Sequence, residues 1–428
     1  MKIAYLFAQE GRGVLRSTGH AVHIQELCGA FQQLGHDVVL LAGKIGEGGN
    51  GAVELPRMIE VGPRFSLPRR ARRGRFERAA GAPPRRRARR LRPAVKDAAR
   101  ICWWAVRNEL VYRRCRRALL REAPDLIYER YVAGSSVGAR LARALRTPLI
   151  VEMNASFTFP EEWWSAHTRL YVDRVRRIER LVAERADAVV VVSTRLHDHL
   201  LSLGIPDEKV TVLFNGADVT RFRPDVERAR DVRRAHRLDG SLVVGFIGSL
   251  KPWHGLDLLL QSARTVLDGD ADIRWLVVGN GPLLDSLKEQ ARREGLGATV
   301  QFAGAVPRDA APAYIGAMDI AVAPAPRLEN YHFSPIKIFE YMASGRAVIA
   351  PRYPDIERVI RHRENGLLVD PGDHEQLTEG ILELARDRDL RMQLGAEARR
   401  TVESRYTWRR NADVVVALAG EIRRARGA

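Results

Sequence analysis

Residues 242–282 read LVVGFIGSLKPWHGLDLLLQSARTVLDGDADIRWLVVGNGP, and their pattern decides the fold class. Two short apolar runs, 242–247 and 273–278, each end in a glycine, Gly248 and Gly279, and a helix lies between them. Strands buried on both faces of a parallel sheet read as near-continuous apolar runs. A helix between two of them makes a strand–helix–strand crossover. The second half of the chain continues in the same way, with strands predicted at 300–302, 319–323 and 347–349. The first half predicts strands at 2–8, 37–42, 126–129, 149–152, 188–192 and 210–213, with helices over 19–34 and 163–186. The alternation stops at a turn-rich segment near Asn215 and restarts at Ser241. The fold class is therefore α/β, with two Rossmann-like doubly wound domains facing a central cleft. The expected division is 1–215, then 216–405, then a terminal helix in 406–428 that packs back on the first domain.

Composition narrows the class further. The 428 residues are 46% hydrophobic and 29% charged, ordinary values for a globular chain. Apolar runs stay at strand length, well under the ~18 residues of a membrane-spanning helix. Residues 2–8 are read as a first strand and not as a signal peptide. Three cysteines, Cys28, Cys102 and Cys115, lack metal-ligand spacing, so a reducing cytoplasm is expected. The net charge of +18 is concentrated in one place. Between Arg64 and Arg100 stand 14 Arg and one Lys against Glu77 and Asp97, which gives +13. This segment has almost no aliphatic residues and reads as an insertion in the first domain, either a solvated loop or an arm for an anionic surface.

Ligands of doubly wound sheets sit outside the carboxyl ends of the strands. After 2–8 come Gly11, Gly13 and Gly19, then the helix that carries His23. After 149–152 comes Glu152-Met153-Asn154-Ala155. In the second domain, Gly248-Ser249-Leu250-Lys251-Pro252-Trp253-His254-Gly255 and Gly279-Asn280-Gly281-Pro282 each open a helix. A third helix start reads Ser334-Pro335-Ile336-Lys337-Ile338-Phe339-Glu340-Tyr341-Met342-Ala343. Proline fits a first helical turn, because its missing N–H would be unpaired there. Lys337 and Glu340 are three residues apart on one helix. A lysine there neutralises a phosphate, and a glutamate accepts hydrogen bonds from sugar hydroxyls. Plainer alternatives stay open: a flexible glycine loop, a surface ion pair, and helix capping by Glu152 and Asn154.

Taken in order, these segments resemble the GT-B glycosyltransferases of family 4, over nearly the whole chain outside 64–100. The resemblance adds Thr18-Gly19, Glu26-Leu27 and Gly35-His36-Asp37-Val38 near the amino terminus. It also adds Asn215-Gly216-Ala217-Asp218, Phe222-Arg223-Pro224 and Asn365-Gly366-Leu367-Leu368-Val369. It implies a retaining, metal-independent transferase that uses a nucleoside-diphosphate sugar, with no cofactor. The implied catalytic residues are Lys337, Glu340, His23 and Glu152. The implied donor-binding residues are Gly19, Gly248, Ser249, Lys251, His254, Gly279, Gly281, Val306, Ser334, Pro335, Lys337 and Glu340. Glu152 and Asn154 fall on the acceptor side. Two departures stand out: Ser249 and His254 occupy places where the family often has Arg and Lys, and His332 replaces the first of two paired glutamates. Lys337 is therefore expected to take over phosphate neutralisation, helped by Ser334 and Lys251. The Ser-Pro-x-Lys-x-Phe-Glu form resembles a subgroup associated with surface polysaccharide assembly.

The expected acceptor is a glycan or lipid-linked molecule. An anionic membrane surface is the expected partner of residues 64–121, placing the chain peripherally on the inner face of the plasma membrane. Within 101–121, Trp103 and Trp104 suit an interface, and Arg107, Arg113, Arg114, Arg116 and Arg117 could meet headgroups. Two other readings compete. A non-enzymatic nucleic-acid-binding protein would use the arginine-rich segment, but no recognisable module accompanies it and no nucleic acid is expected. Another GT-B enzyme, such as a sugar-nucleotide epimerase, would form no glycoside.

Overall fold

The computed structural model describes residues 1–9, 13–15, 18–46, 55–62, 93–156, 169–267 and 272–427. Two all-parallel sheets organise them. The first holds β1 (Lys2–Phe7), β2 (Asp37–Ala42), β3 (Arg57–Glu60), β4 (Leu126–Arg130), β5 (Leu149–Met153), β6 (Ala188–Val191) and β7 (Val210–Val212), in the order β3-β2-β1-β4-β5-β6-β7. The second holds β8 (Leu242–Ile247), β9 (Ile273–Val278), β10 (Val300–Gly304), β11 (Ile320–Val322), β12 (Ala347–Pro351) and β13 (Leu367–Val369), in the order β10-β9-β8-β11-β12-β13. In each sheet the order reverses beside its first strand, so the loops after β1 and β8 open at a topological switch point.

Both faces of each sheet are covered, which is why the strands lack polar alternation. In β1, Ala4 and Leu6 pack with Val111, Cys115 and Leu119 of the helix Pro93–Glu122. Ile3, Tyr5 and Phe7 point the other way, toward Ile24 and Phe31 of the helix Gly19–Gln33. The same cluster takes in Trp408, Ala412, Val415 and Ala419 of the last helix, Trp408–Ala425. That helix therefore belongs physically to the first sheet, and Arg423 reinforces it by pairing with Asp125 at 3.1 Å. The chain crosses between the sheets twice, side by side: Ala217 N–H donates to Tyr406 at 2.9 Å. A Cβ on Gly216 would lie 2.8 Å from the backbone of Thr407, so only glycine fits this crossing.

The expected basic insertion lies outside the described residues up to position 92, as does 163–168 of the expected 163–186 helix. Residues 93–100 are helical, forming the start of Pro93–Glu122. This helix corrects part of the interface expectation. Arg107 is only 5% exposed, and Arg114 donates to the carbonyl of Gly62, so neither faces outward to meet headgroups. Trp104 packs on Tyr171 with ring centroids 5.0 Å apart and fills the space beside Gly134. Arg116, Arg117 and Arg121 are exposed, as are Val106 and Leu120.

Candidate active site between the two sheets

The loop after β8 and the loop after β9 are built against each other. Gly248 N–H donates to Val278 at 2.9 Å, and Leu250 N–H donates to Asn280 at 3.0 Å. A Cβ on Gly279 would lie 1.8 Å from the Gly248 carbonyl, and one on Gly281 would lie 2.2 Å from the Leu250 carbonyl. These glycines are thus required by loop-to-loop packing, whatever else the loops hold.

The helix Ile336–Ala343 lies across the end of β8, where Ile247 N–H donates to the Tyr341 hydroxyl at 2.9 Å. One turn earlier, Lys337 reaches the β8 loop. Its ammonium stands 4.0 Å from the centre of the Phe246 ring and 3.3 Å from His254 Nδ1. His254 Nε2 lies 3.4 Å from Ser249 Oγ. Burial pushes Lys337 down to about 7, with Glu340 opposing the shift. Burial, then the charges of Lys337 and Lys251, pushes His254 down to about 2, which keeps its imidazole neutral. Lys251 rests 4.7 Å from the Trp253 ring centre.

Glu340 turns to the opposite side and does not pair with Lys337. Its partner is Arg308, in the loop after β10, which also bonds Glu26 of the first domain at 3.0 Å. Arg221 bonds Glu26 as well. Burial lowers the Arg308 pKa, but Glu340 and Glu26 outweigh it and raise the group above its usual range. Val306 is half-buried two residues before Arg308 and packs against the second domain's core.

Ser334 has a partner that the local sequence did not suggest. The Ser334 hydroxyl accepts from Asn215 N–H at 2.9 Å, and its carbonyl accepts from the Asn215 amide. Ser334 thus takes part in the inter-domain crossing, as an acceptor, and its hydroxyl proton is left to donate elsewhere. Pro335 is the N-cap and not a first-turn residue. His332 is 2% exposed, with Nδ1 2.8 Å from the Asn330 carbonyl.

On the first-domain side, Gly19 is the first residue of its helix. His23 and Glu152 are brought together, but inside the protein. His23 Nε2 lies 2.8 Å from Glu152, and Nδ1 lies 2.8 Å from Asn215 Oδ1. Glu152 also accepts from Tyr128, from Arg130 and from Asn154. With 1% exposure and both oxygens engaged, it holds its neighbours in place, which corrects the expectation that it contacts a sugar. Burial raises its pKa, but His23 and Arg130 more than reverse that and hold the carboxylate well below its usual range. Asn154 spends its amide on Glu152 and is half-buried. Sequence reasoning missed Arg308 and Arg221 altogether. Among the described residues, no group of three or more His, Cys, Asp or Glu is placed to hold a metal ion.

Comparison with known proteins agrees with this architecture. A family model described as "Glycosyl transferase 4-like domain" matches residues 18–216, and one described as "Glycosyl transferases group 1" matches residues 228–401. Anabaena HepE, crystallised with UDP and glucose, superposes with a TM-score of 0.70 at 17% identity, covering 100% of both chains. Sucrose-phosphate synthase from Thermosynechococcus elongatus gives 0.72 at 18% identity over 99% of both. The chain has the GT-B fold, and its two halves each match a glycosyltransferase family model. In sequence, it is 30% identical over 240 residues to the GDP-mannose-dependent alpha-(1-6)-phosphatidylinositol monomannoside mannosyltransferase of Mycobacterium tuberculosis, covering 54% of this chain and 61% of that one. It is 31% identical over 255 residues to D-inositol 3-phosphate glycosyltransferase of Corynebacterium urealyticum, covering 57% and 59%. The chain thus spans about three fifths of the length of these curated relatives.

Proposed function

We propose that this chain is a retaining glycosyltransferase that moves a sugar from a nucleoside diphosphate to a glycan or lipid-linked acceptor in surface polysaccharide or glycoconjugate assembly. The observation that carries this is the divergence of Lys337 and Glu340 from one helix at the switch point. Lys337 serves the glycine-loop side, where a diphosphate sits, and Glu340 serves the β10 side, where a ribose sits. The leaving diphosphate develops negative charge, which a preorganised ammonium and helix-start amides stabilise. His254 contributes a neutral donor and not a second cation. His23 and Glu152 act as positioning residues beneath the sugar, and Asn154 borders the acceptor side. Residues 1–215 are the acceptor-side domain, and 216–405 bind the donor. Relatives that use GDP-mannose or bind UDP and glucose make GDP- and UDP-sugars the first donors to try.

The test is a binding screen of UDP, GDP, ADP and TDP, followed by product analysis with the matching sugar donors. Release of a nucleoside diphosphate with formation of an α-glycoside from an α-linked donor supports the reading. A free sugar or epimerised nucleotide sugar without glycoside overturns it in favour of the epimerase alternative. A peripheral position on an anionic cytoplasmic membrane face is part of the same proposal. Among the described residues no helix is long and apolar enough to cross a membrane. A hollow of about 340 Å³ between β3 and Pro93–Glu122 presents the exposed Arg117 and Arg121 to anionic headgroups, while its Arg57 pairs with Glu122 at 2.8 Å and its Arg114 with the Gly62 carbonyl. Each basic residue near such a surface contributes ~1 kcal/mol. Sedimentation with phosphatidylglycerol vesicles that survives Arg116→Glu, Arg117→Glu and Arg121→Glu together would reject these side chains as the contact.

A further inference from the structure

Glu26, Arg221, Arg308 and Glu340 form a buried ionic cluster drawn from both domains. Glu26 is 6% exposed, Arg308 9% and Glu340 5%. One guanidinium nitrogen of Arg308, Nη2, serves both Glu26 Oε1 and Glu340 Oε1. The Arg308 guanidinium also lies 4.8 Å from the centre of the Phe222 ring. Two features show that this cluster is more than a static ion pair. The second oxygen of Glu340 receives no hydrogen bond from a described residue, so one oxygen is held and the other is open. The cluster also carries surplus donors: Arg308 Nε and both Nε and Nη1 of Arg221 are buried without a partner among the described residues. Buried N–H groups left unpaired are costly, which marks a place where acceptors are to be supplied.

A vicinal diol supplies what is lacking, since each hydroxyl donates one hydrogen bond and accepts others. We propose that Arg308 is a specificity-determining positioning residue: it aims Glu340 at the two ribose hydroxyls of the donor nucleoside, and Glu26 of the acceptor-side domain holds Arg308 in place. The inference rests on the donor-site reading above and extends it to a residue 282 positions from its cross-domain partner. Ribose recognition is thereby built partly from the other domain.

The experiment compares the nucleoside diphosphate that binds tightest in the screen with its 2′,3′-dideoxy analogue, by calorimetry. Wild type binds the ribonucleotide about tenfold or more tighter, as expected for a hydrogen-bonded charged acceptor. Arg308→Met lowers that ratio to about threefold or less and leaves the dideoxy affinity within about twofold. Arg308→Lys, which keeps the charge and folds with less disturbance, retains part of the ratio. Glu26→Gln lowers the ratio as well, although Glu26 is on the other domain. Equal losses for both ligands in Arg308→Met and Arg308→Lys overturn the role of Arg308 and leave the donor site standing. An unchanged ratio in Glu26→Gln overturns the cross-domain part. A wild type that binds diphosphates without preferring ribose overturns the proposal together with the assignment of Glu340.

Discussion

Lys337 carries a charge that its surroundings disfavour, and this makes donor binding depend on pH. In the free protein its pKa is pushed down to about 7 by burial. A bound diphosphate favours the charged ammonium, so the bound-state pKa is higher than the free one. Affinity is therefore full below pH 7 and falls as pH rises through 7 toward the bound-state value. Calorimetry from pH 6.5 to 9 should show this decline, and Lys337→Arg, whose charge does not titrate there, should flatten it. Lys337→Ala should lower turnover by ~10²–10³, the usual effect of removing one preorganised charge contact. Glu152 makes the opposite case, a charge its surroundings require. Glu152→Ala leaves His23, Arg130 and Tyr128 buried without their acceptor and should destabilise the protein by ~3–5 kcal/mol, seen as a large fall in melting temperature. A melting temperature unchanged by Glu152→Ala would remove its holding role.

The helices that flank the first sheet divide the work of covering it. Trp408 begins the last helix, is 3% exposed, and meets the His23 ring edge-on at 4.9 Å. Trp408→Ala opens a cavity over β1 and should cost ~3–5 kcal/mol, read as a lower melting temperature with nucleotide affinity retained by the second domain. Most strands were legible because burial on both faces leaves an apolar run that needs no partner to be recognised. Two strands were not. Residues 57–60, RMIE, form an edge strand with charged ends and only half-buried centres, and β13 is three residues long. In the candidate site, the helix start at Lys337 and Glu340 was readable from local chemistry. The Arg308 contacts were not, because no local pattern marks partners 32 and 282 residues away. The contacts of Ser334 and Glu152 were equally hidden, since a side chain's use depends on what the fold brings beside it.

At the scale of the whole molecule, polar contacts among the described residues help set how the two domains meet. Besides the Glu26 cluster, the Asp355 carboxylate accepts from the backbone N–H of Thr194 at 3.1 Å and from its hydroxyl at 2.7 Å. Asp355→Asn weakens this clasp without touching a residue that contacts Lys337. It should lower kcat several-fold while the dissociation constant for the nucleoside diphosphate stays within about twofold, because the donor residues lie in the second domain. Equal effects on both quantities would show that the clasp supports the donor site directly. The paired crossings at 213–217 and 406–408 have another consequence, for anyone recombining this chain with a relative. A single cut at the inter-domain segment does not separate the halves, because the residues after Thr407 complete the first one. A chimaera that exchanges donor domains must splice twice and carry 406–427 with its original amino-terminal partner. A one-cut hybrid joins a foreign helix to Ile24 and Phe31, a mismatched surface that favours insoluble product before any question of sugar preference arises.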